Sequence, residues 1–188
     1  MSSARAIAWQ LDAPESALTD VRAGDAVELS GSVLTLRDAS AARLAQTLAR
    51  NEPPPIPLQH RIMYAVGPSP AKPGQVIGSA GPTTTARMGR YLPTLFAGGV
   101  RAIIGKGELH GSDMAAFVEH GSVYFAAIGG LGALLAKQIS AARVVAYEEL
   151  GPEALFELEL TSFPAVVIID RHGQNLHETA RGQWRTER

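Results

Sequence analysis

In residues 27–36, Val27-Glu28-Leu29-Ser30-Gly31-Ser32-Val33-Leu34-Thr35-Leu36, apolar side chains recur at close to every second position. That is the period of a half-buried strand. Asp38 follows at an N-cap position, and 39–50 is rich in Ala and Leu with helical spacing at Leu44 and Leu48, which predicts a helix. Pro53, Pro54, Pro55 and Pro57 end that helix and impose an extended connection. Residues 62–66 read as a strand, 67–74 as a turn-rich loop and 76–78 as another short strand. Strands and helices then alternate. The pattern predicts a helix over 84–96, kinked or divided at Pro93, and a short β-branched buried strand over 100–104. A helix over 113–120 capped by Ser112, a strand over 123–128 and a helix over 131–139 follow, with further strands at 144–147 and 165–170. From Thr179 the chain reads as a polar tail.

Strands first, then β–α alternation, predict an α/β domain built in layers around a mixed sheet. The expected division is an N-terminal extension at 1–20, one domain at 21–178 and the tail at 179–188. Neither repeats nor low-complexity tracts interrupt it.

Composition narrows the function. With 188 residues, 46% of them hydrophobic and 19% charged, the chain is long enough for a sizeable core and is neither fibrous nor disordered. A formal net charge of -1 without a Lys/Arg cluster argues against nucleic acid as a partner. The least polar run, 121–136, is too short for a membrane span and is interrupted by Gly129, Gly130 and Gly132; residues 1–10 are too weak for a signal peptide. A soluble, cytoplasmic protein is expected. There is no cysteine, which excludes disulfides, Cys nucleophiles, thiolate metal sites and a self-ligated iron–sulfur cluster.

Three segments carry candidate chemistry. Gly78-Ser79-Ala80-Gly81-Pro82-Thr83-Thr84-Thr85-Ala86-Arg87-Met88 is a glycine-rich turn entering a helix, where free backbone N–H groups and the helix dipole favour an anion. Thr83 and Thr84 add hydroxyls, and Arg87 one turn on can hold a carboxylate or phosphate by two parallel hydrogen bonds. Taken alone, the segment reads as a capped helix with an exposed Arg. In Ile103-Ile104-Gly105-Lys106-Gly107-Glu108 a lysine follows a buried strand, where open α/β sheets place ligands. A phosphate-binding P-loop needs Ser or Thr after Gly-Lys, and Gly107 stands there instead. A solvated turn lysine accounts for the segment equally well. In Leu36-Arg37-Asp38, Arg37 can point into the same crevice, or pair with Asp38 and pin the helix start. His60, His110, His120, His172 and His177 show no metal-ligand spacing.

The order of the pieces is more specific than any one of them. It runs from Gly24-Asp25-Ala26-Val27, Leu29-Ser30-Gly31 and Arg37-Asp38 through Gly67-Pro68, Gly81-Pro82-Thr83-Thr84, Arg87-Met88 and Ile104-Gly105-Lys106-Gly107. Gly129-Gly130, Glu149-Leu150-Gly151, Glu153-Ala154, Phe163-Pro164, Asp170 and Gly173 complete it. The chain thereby resembles, over about 21–176, the β subunit or C-terminal domain of the iron–sulfur fumarase and L-tartrate dehydratase family, the class I hydro-lyases. The resemblance implies a swivelling β/β/α domain and the addition or removal of water across the double bond of a small dicarboxylate such as fumarate/malate or tartrate/oxaloacetate. It also implies a 4Fe-4S cluster acting as Lewis acid. The cluster's three cysteines belong to the family's α subunit, so this chain supplies no cofactor or metal ligand. It is expected to act only with a cysteine-bearing α subunit, in a hetero- or homo-oligomer.

By the same resemblance, Arg37, Arg87 and Lys106 bind the substrate carboxylates, Thr83 transfers the proton and the Thr84 hydroxyl hydrogen-bonds substrate. One position departs. Family members commonly read Arg-Asp-x-x-His-x-Arg, and here Arg37-Asp38-Ala39-Ser40-Ala41-Ala42-Arg43 has Ala41 in place of the histidine. A helical position one turn after Asp38 is expected to face the crevice. The competing reading is therefore a non-catalytic dicarboxylate-binding or assembly module.

Overall fold

The computed structural model describes residues 6–12 and 20–184. Among them, the strands β1 (Ile7–Gln10), β2 (Ala26–Leu36), β3 (Ile62–Ala65), β4 (Ala102–Gly105), β5 (Val123–Ala126), β6 (Ile139–Ala146) and β7 (Leu155–Ile169) form one mixed sheet. Its order is β1-β2-β3-β4-β5-β7-β6. The pairs from β1 to β5 are parallel, and β7 is antiparallel to β5 and β6. Strand β7 also pairs antiparallel with β2, so β2, β3, β4, β5 and β7 close a ring.

Closure separates two cores. Alternate residues of the short parallel strands point to opposite faces. Ile62, Tyr64, Ile104 and Phe125 point inward against Leu29, Leu158, Phe163 and Val167 of β2 and β7. Met63, Ala65, Ile103 and Tyr124 point outward beneath helices α1 (Asp38–Ala49), α2 (Leu92–Ala97) and α3 (Gly111–His120), meeting Leu44, Leu95 and Phe117. The result is the expected β/β/α layering. Strands β3 and β4 are buried on both faces, which is why they read as unbroken apolar runs.

Several local expectations shift. Arg37, not Asp38, is the N-cap of α1, its N–H donating to Ser40 Oγ at 3.0 Å. Residues 76–78 form no strand. The helix over 84–96 divides into a 3-10 turn, Thr85–Tyr91, and α2, with Pro93 in the first turn of α2, where its missing N–H costs nothing. Helix α3 starts at Gly111 after His110, so Ser112 lies inside it and caps nothing. The helix over 131–139 is only α4 (Gly132–Leu135) plus a 3-10 turn, Ala136–Gln138, and Ile139 already opens β6. The strands at 144–147 and 165–170 are the ends of the much longer β6 and β7. Residues 1–20, read as an extension, contain β1, which buries Trp9. Beyond Asp170 the chain continues as helix α5 (Leu176–Trp184), which runs into the stretch read as a tail. No described helix is long and apolar enough to cross a membrane.

Candidate functional site

Because β2 to β5 are parallel, Leu36, Ala65, Gly105 and Ala126 end at one edge. Arg37, Val66–Gly67, Lys106 and Ala127 follow directly. This is the edge where α/β sheets build ligand sites.

The Gly81-Pro82-Thr83-Thr84 segment is laid between the ends of β3 and β4. Thr83 N–H donates to Ala65 O at 2.7 Å, Lys106 N–H to Thr83 O at 3.3 Å and Thr85 N–H to Lys106 O at 3.0 Å. Thr84 bridges Lys106 in parallel. Backbone pairing thus places Thr83, Thr84 and Lys106 side by side. Thr83 and Thr84 are half-buried, and neither hydroxyl has a hydrogen-bond partner among the described residues.

Thr85 is the buried member of the run. Its Oγ1 lies 3.1 Å from the Tyr124 hydroxyl, which donates to Gly107 O at 3.0 Å. Burial pushes the Tyr124 phenol up to about 12, with the Thr85 hydrogen bond opposing, so it remains a donor at neutral pH. The two glycines around Lys106 have separate reasons. A Cβ at Gly105 would fall 2.0 Å from Thr85 Oγ1, whereas Gly107 has φ +88, in the left-handed region.

Lys106 is half-buried beside Gly129, where a Cβ would lie 3.6 Å from Nζ, and it has no carboxylate partner among the described residues. Arg87, on the 3-10 turn, donates from Nε to Asp38 Oδ1 at 3.2 Å. Arg37 reaches Glu153 Oε1 from Nη2 at 3.3 Å and Asp38 Oδ2 from Nε at 3.7 Å. Its guanidinium lies against Gly67, where a Cβ would come within 2.4 Å of Nη1. The expected Arg37–Asp38 pair is therefore present, but Asp38 is shared with Arg87 and Arg37 has a second carboxylate. Thr85, Tyr124 and the role of Glu153 escaped the sequence reading of the site. Glu153-Ala154 in the family pattern was the one available signal.

Ala41 does not face this crevice. It is fully buried beneath the helices with Leu36, Leu44 and Met88, so an imidazole there would enter the packed layer instead of the strand-end edge. Nor do the residues of this chain fit an iron–sulfur cluster. The sequence has no cysteine, and no group of three or more His, Cys, Asp or Glu among the described residues can hold a metal ion.

A family model described as Fumarase C-terminus matches residues 2–180. A putative L(+)-tartrate dehydratase subunit beta of Methanocaldococcus jannaschii is 37% identical over 164 residues, 84% of this chain and 84% of that protein. A putative class I fumarate hydratase of Geobacillus stearothermophilus is 36% identical over 182 residues, 94% of this chain and 34% of the relative. The aerobic class I fumarate hydratase of Escherichia coli is 33% identical over 154 residues, 81% of this chain and 28% of the relative. The chain thus spans most of the subunit-sized relative and about a third of the longer ones. Hydratase and dehydratase both name the addition or removal of water, so the relatives are hydro-lyases.

Proposed function

We propose that this chain, which belongs to the Fumarase C-terminus family, is the β subunit of a hydro-lyase acting on a small dicarboxylate, and that it supplies the carboxylate-binding half of the site. The observation that carries the reading is that Arg37, Lys106, Thr83 and Thr84 lie at one strand-end edge, with Arg87 joined to Arg37 through Asp38. Two arginines and a lysine suit a doubly charged substrate, the arginines through paired hydrogen bonds and the lysine as a point charge.

Removing the proton beside a carboxylate increases the negative charge on that carboxylate. Fixed cations stabilise this charge more in the transition state than in the ground state, which lowers the barrier. Lys106 is suited to that role, because no carboxylate among the described residues neutralises it. Thr83 stands beside it as the proton-transfer group. An alcohol is a weak base unless a neighbouring group activates it. Thr84 hydrogen-bonds the substrate and is held in register by the same backbone bridge.

Since this chain has no thiolate, an iron–sulfur cluster belongs to a cysteine-bearing α subunit, and the assembled pair is the active unit. The name of the Methanocaldococcus relative, subunit beta, supports a partner of that kind. The second reading, a binding module without catalysis, was raised by Ala41, and the burial of Ala41 in the helix layer removes that support. Anaerobic assembly with the α subunit tests both. Turnover of fumarate or L-tartrate by the pair, and by neither chain alone, is expected; dicarboxylate binding without turnover would favour the module.

A further inference from the structure

Glu153 is separated from Arg37 by 116 positions in sequence, yet its carboxylate is fully engaged at the start of α1. Oε1 accepts from Arg37 Nη2 at 3.3 Å, and Oε2 accepts from the Ala39 N–H at 2.8 Å. One side chain thereby satisfies a free backbone donor of the helix and fixes the guanidinium just before it.

The segment carrying Glu153 is itself tied down. Thr35 is fully buried; its Oγ1 donates to Ala154 O at 3.0 Å and accepts from Phe156 N–H at 2.9 Å. Strand β2 thus presents Thr35, which holds the backbone beside Glu153, and then Arg37, which meets the Glu153 carboxylate. Gly67 leaves the guanidinium room at the β3 end, where a Cβ would meet it. Among the described residues Nη1 of Arg37 makes no hydrogen bond, so the clamp holds one edge of the guanidinium and leaves a donor available.

We infer that Glu153 is a positioning residue that orients Arg37 for a substrate carboxylate, with Thr35 as its anchor. The inference rests on the proposed role of Arg37. A long flexible cation held in one geometry binds without first losing its rotamer freedom, so the clamp should appear in substrate affinity.

The test uses Glu153→Gln in the assembled αβ pair. The glutamine oxygen still accepts from Ala39 N–H, so the helix start is kept while the ion pair to Arg37 is lost. The dicarboxylate KM is expected to rise about tenfold or more with kcat nearly unchanged, and the cluster absorbance and melting temperature should stay near wild type. An unchanged KM, in a pair where Arg37→Lys does raise it, would overturn the inference. A second readout needs no activity. In the β chain alone, the Arg37 Nε–Hε resonance, identified by its loss in Arg37→Lys, should show a rigid heteronuclear NOE in wild type and a mobile one in Glu153→Gln. Equal order in both overturns the clamp. Absence of turnover by the wild-type pair overturns the functional reading instead, and the NMR comparison still decides on Glu153.

Discussion

Arg87 closes on Asp38 through two contacts at once: Nε donates to Oδ1 at 3.2 Å, and Nη2 lies 3.1 Å from Oδ2. The same Oδ2 is 3.7 Å from Arg37 Nε. One protein carboxylate therefore occupies both arginines proposed to bind the substrate carboxylates. The Arg87 side chain is 54% exposed, and exposed pairs of this kind contribute about 0–1 kcal/mol. An incoming carboxylate can displace Asp38 at small cost.

Asp38→Asn should therefore tighten dicarboxylate binding by the assembled pair, by up to about fivefold at low salt. Calorimetry with malate or tartrate checks this. Weaker binding would mean that Asp38 orients Arg87 more than it competes for it.

Arg87→Met should weaken a dicarboxylate far more than a monocarboxylate of similar size, since only the former uses both ends of the cationic edge. Equal losses for both in the same calorimetric comparison would assign Arg87 a structural role.

Much of this arrangement was legible in the sequence, and what escaped has a common cause. The strands β3 and β4 and helix α1 are marked by local signals: apolar runs buried on two faces, or a helical stripe after a cap. Lys106 between two glycines and Arg87 one turn after Gly81-Pro82-Thr83-Thr84 are local signals too. Strands β6 and β7 were seen only at their ends. Arg143 and Val144 of β6 are exposed, and Glu157, Glu159 and Thr161 interrupt the apolar pattern of β7. The clamp on Arg37 and the Thr85–Tyr124 contact join residues far apart in the chain. No period or spacing encodes such contacts. The helical spacing of Ala41 likewise could not say that its face turns toward the core.

Ala41→His should destabilise the fold without raising turnover. Inserting a ring beside Leu44 and Met88 overpacks the helix layer, at a cost of about 1–3 kcal/mol. Denaturant melts of the β chain and fumarate kinetics of the pair check both halves. A stable variant with faster turnover would restore the view that the missing histidine limits the enzyme.

Tyr124→Phe leaves Thr85 Oγ1 and Gly107 O without their shared partner, and should cost about 1–3 kcal/mol in denaturant unfolding. The wild-type chain should also lose stability in alkali. Burial raises the Tyr124 phenol from 10.0 to about 12 and pushes Tyr64 up as well, so the unfolded chain releases those protons first. The stabilisation from these phenols is intact below pH 10 and is lost as the pH rises toward 12 and beyond. The alkaline loss should be shallower in Tyr124→Phe. An identical pH profile would show that Tyr124 does not contribute to it.

The β chain expressed alone under anaerobic conditions with iron and sulfide should show no cluster absorbance and no hydration of fumarate, because it has no thiolate ligand. A brown, active preparation of the single chain would contradict the two-subunit account.

If this chain supplies the charge that stabilises the reacting carboxylate, Lys106→Met in the anaerobically assembled pair should remove it. The measurement is kcat/KM for fumarate and L-tartrate, with cluster absorbance recorded on the same samples. A loss of about a hundredfold or more with the cluster spectrum unchanged is expected, the scale on which removing one preorganised donor to a developing oxyanion acts. A variant that keeps wild-type kcat/KM with an intact cluster would contradict it, and would place the dicarboxylate site elsewhere in the assembly.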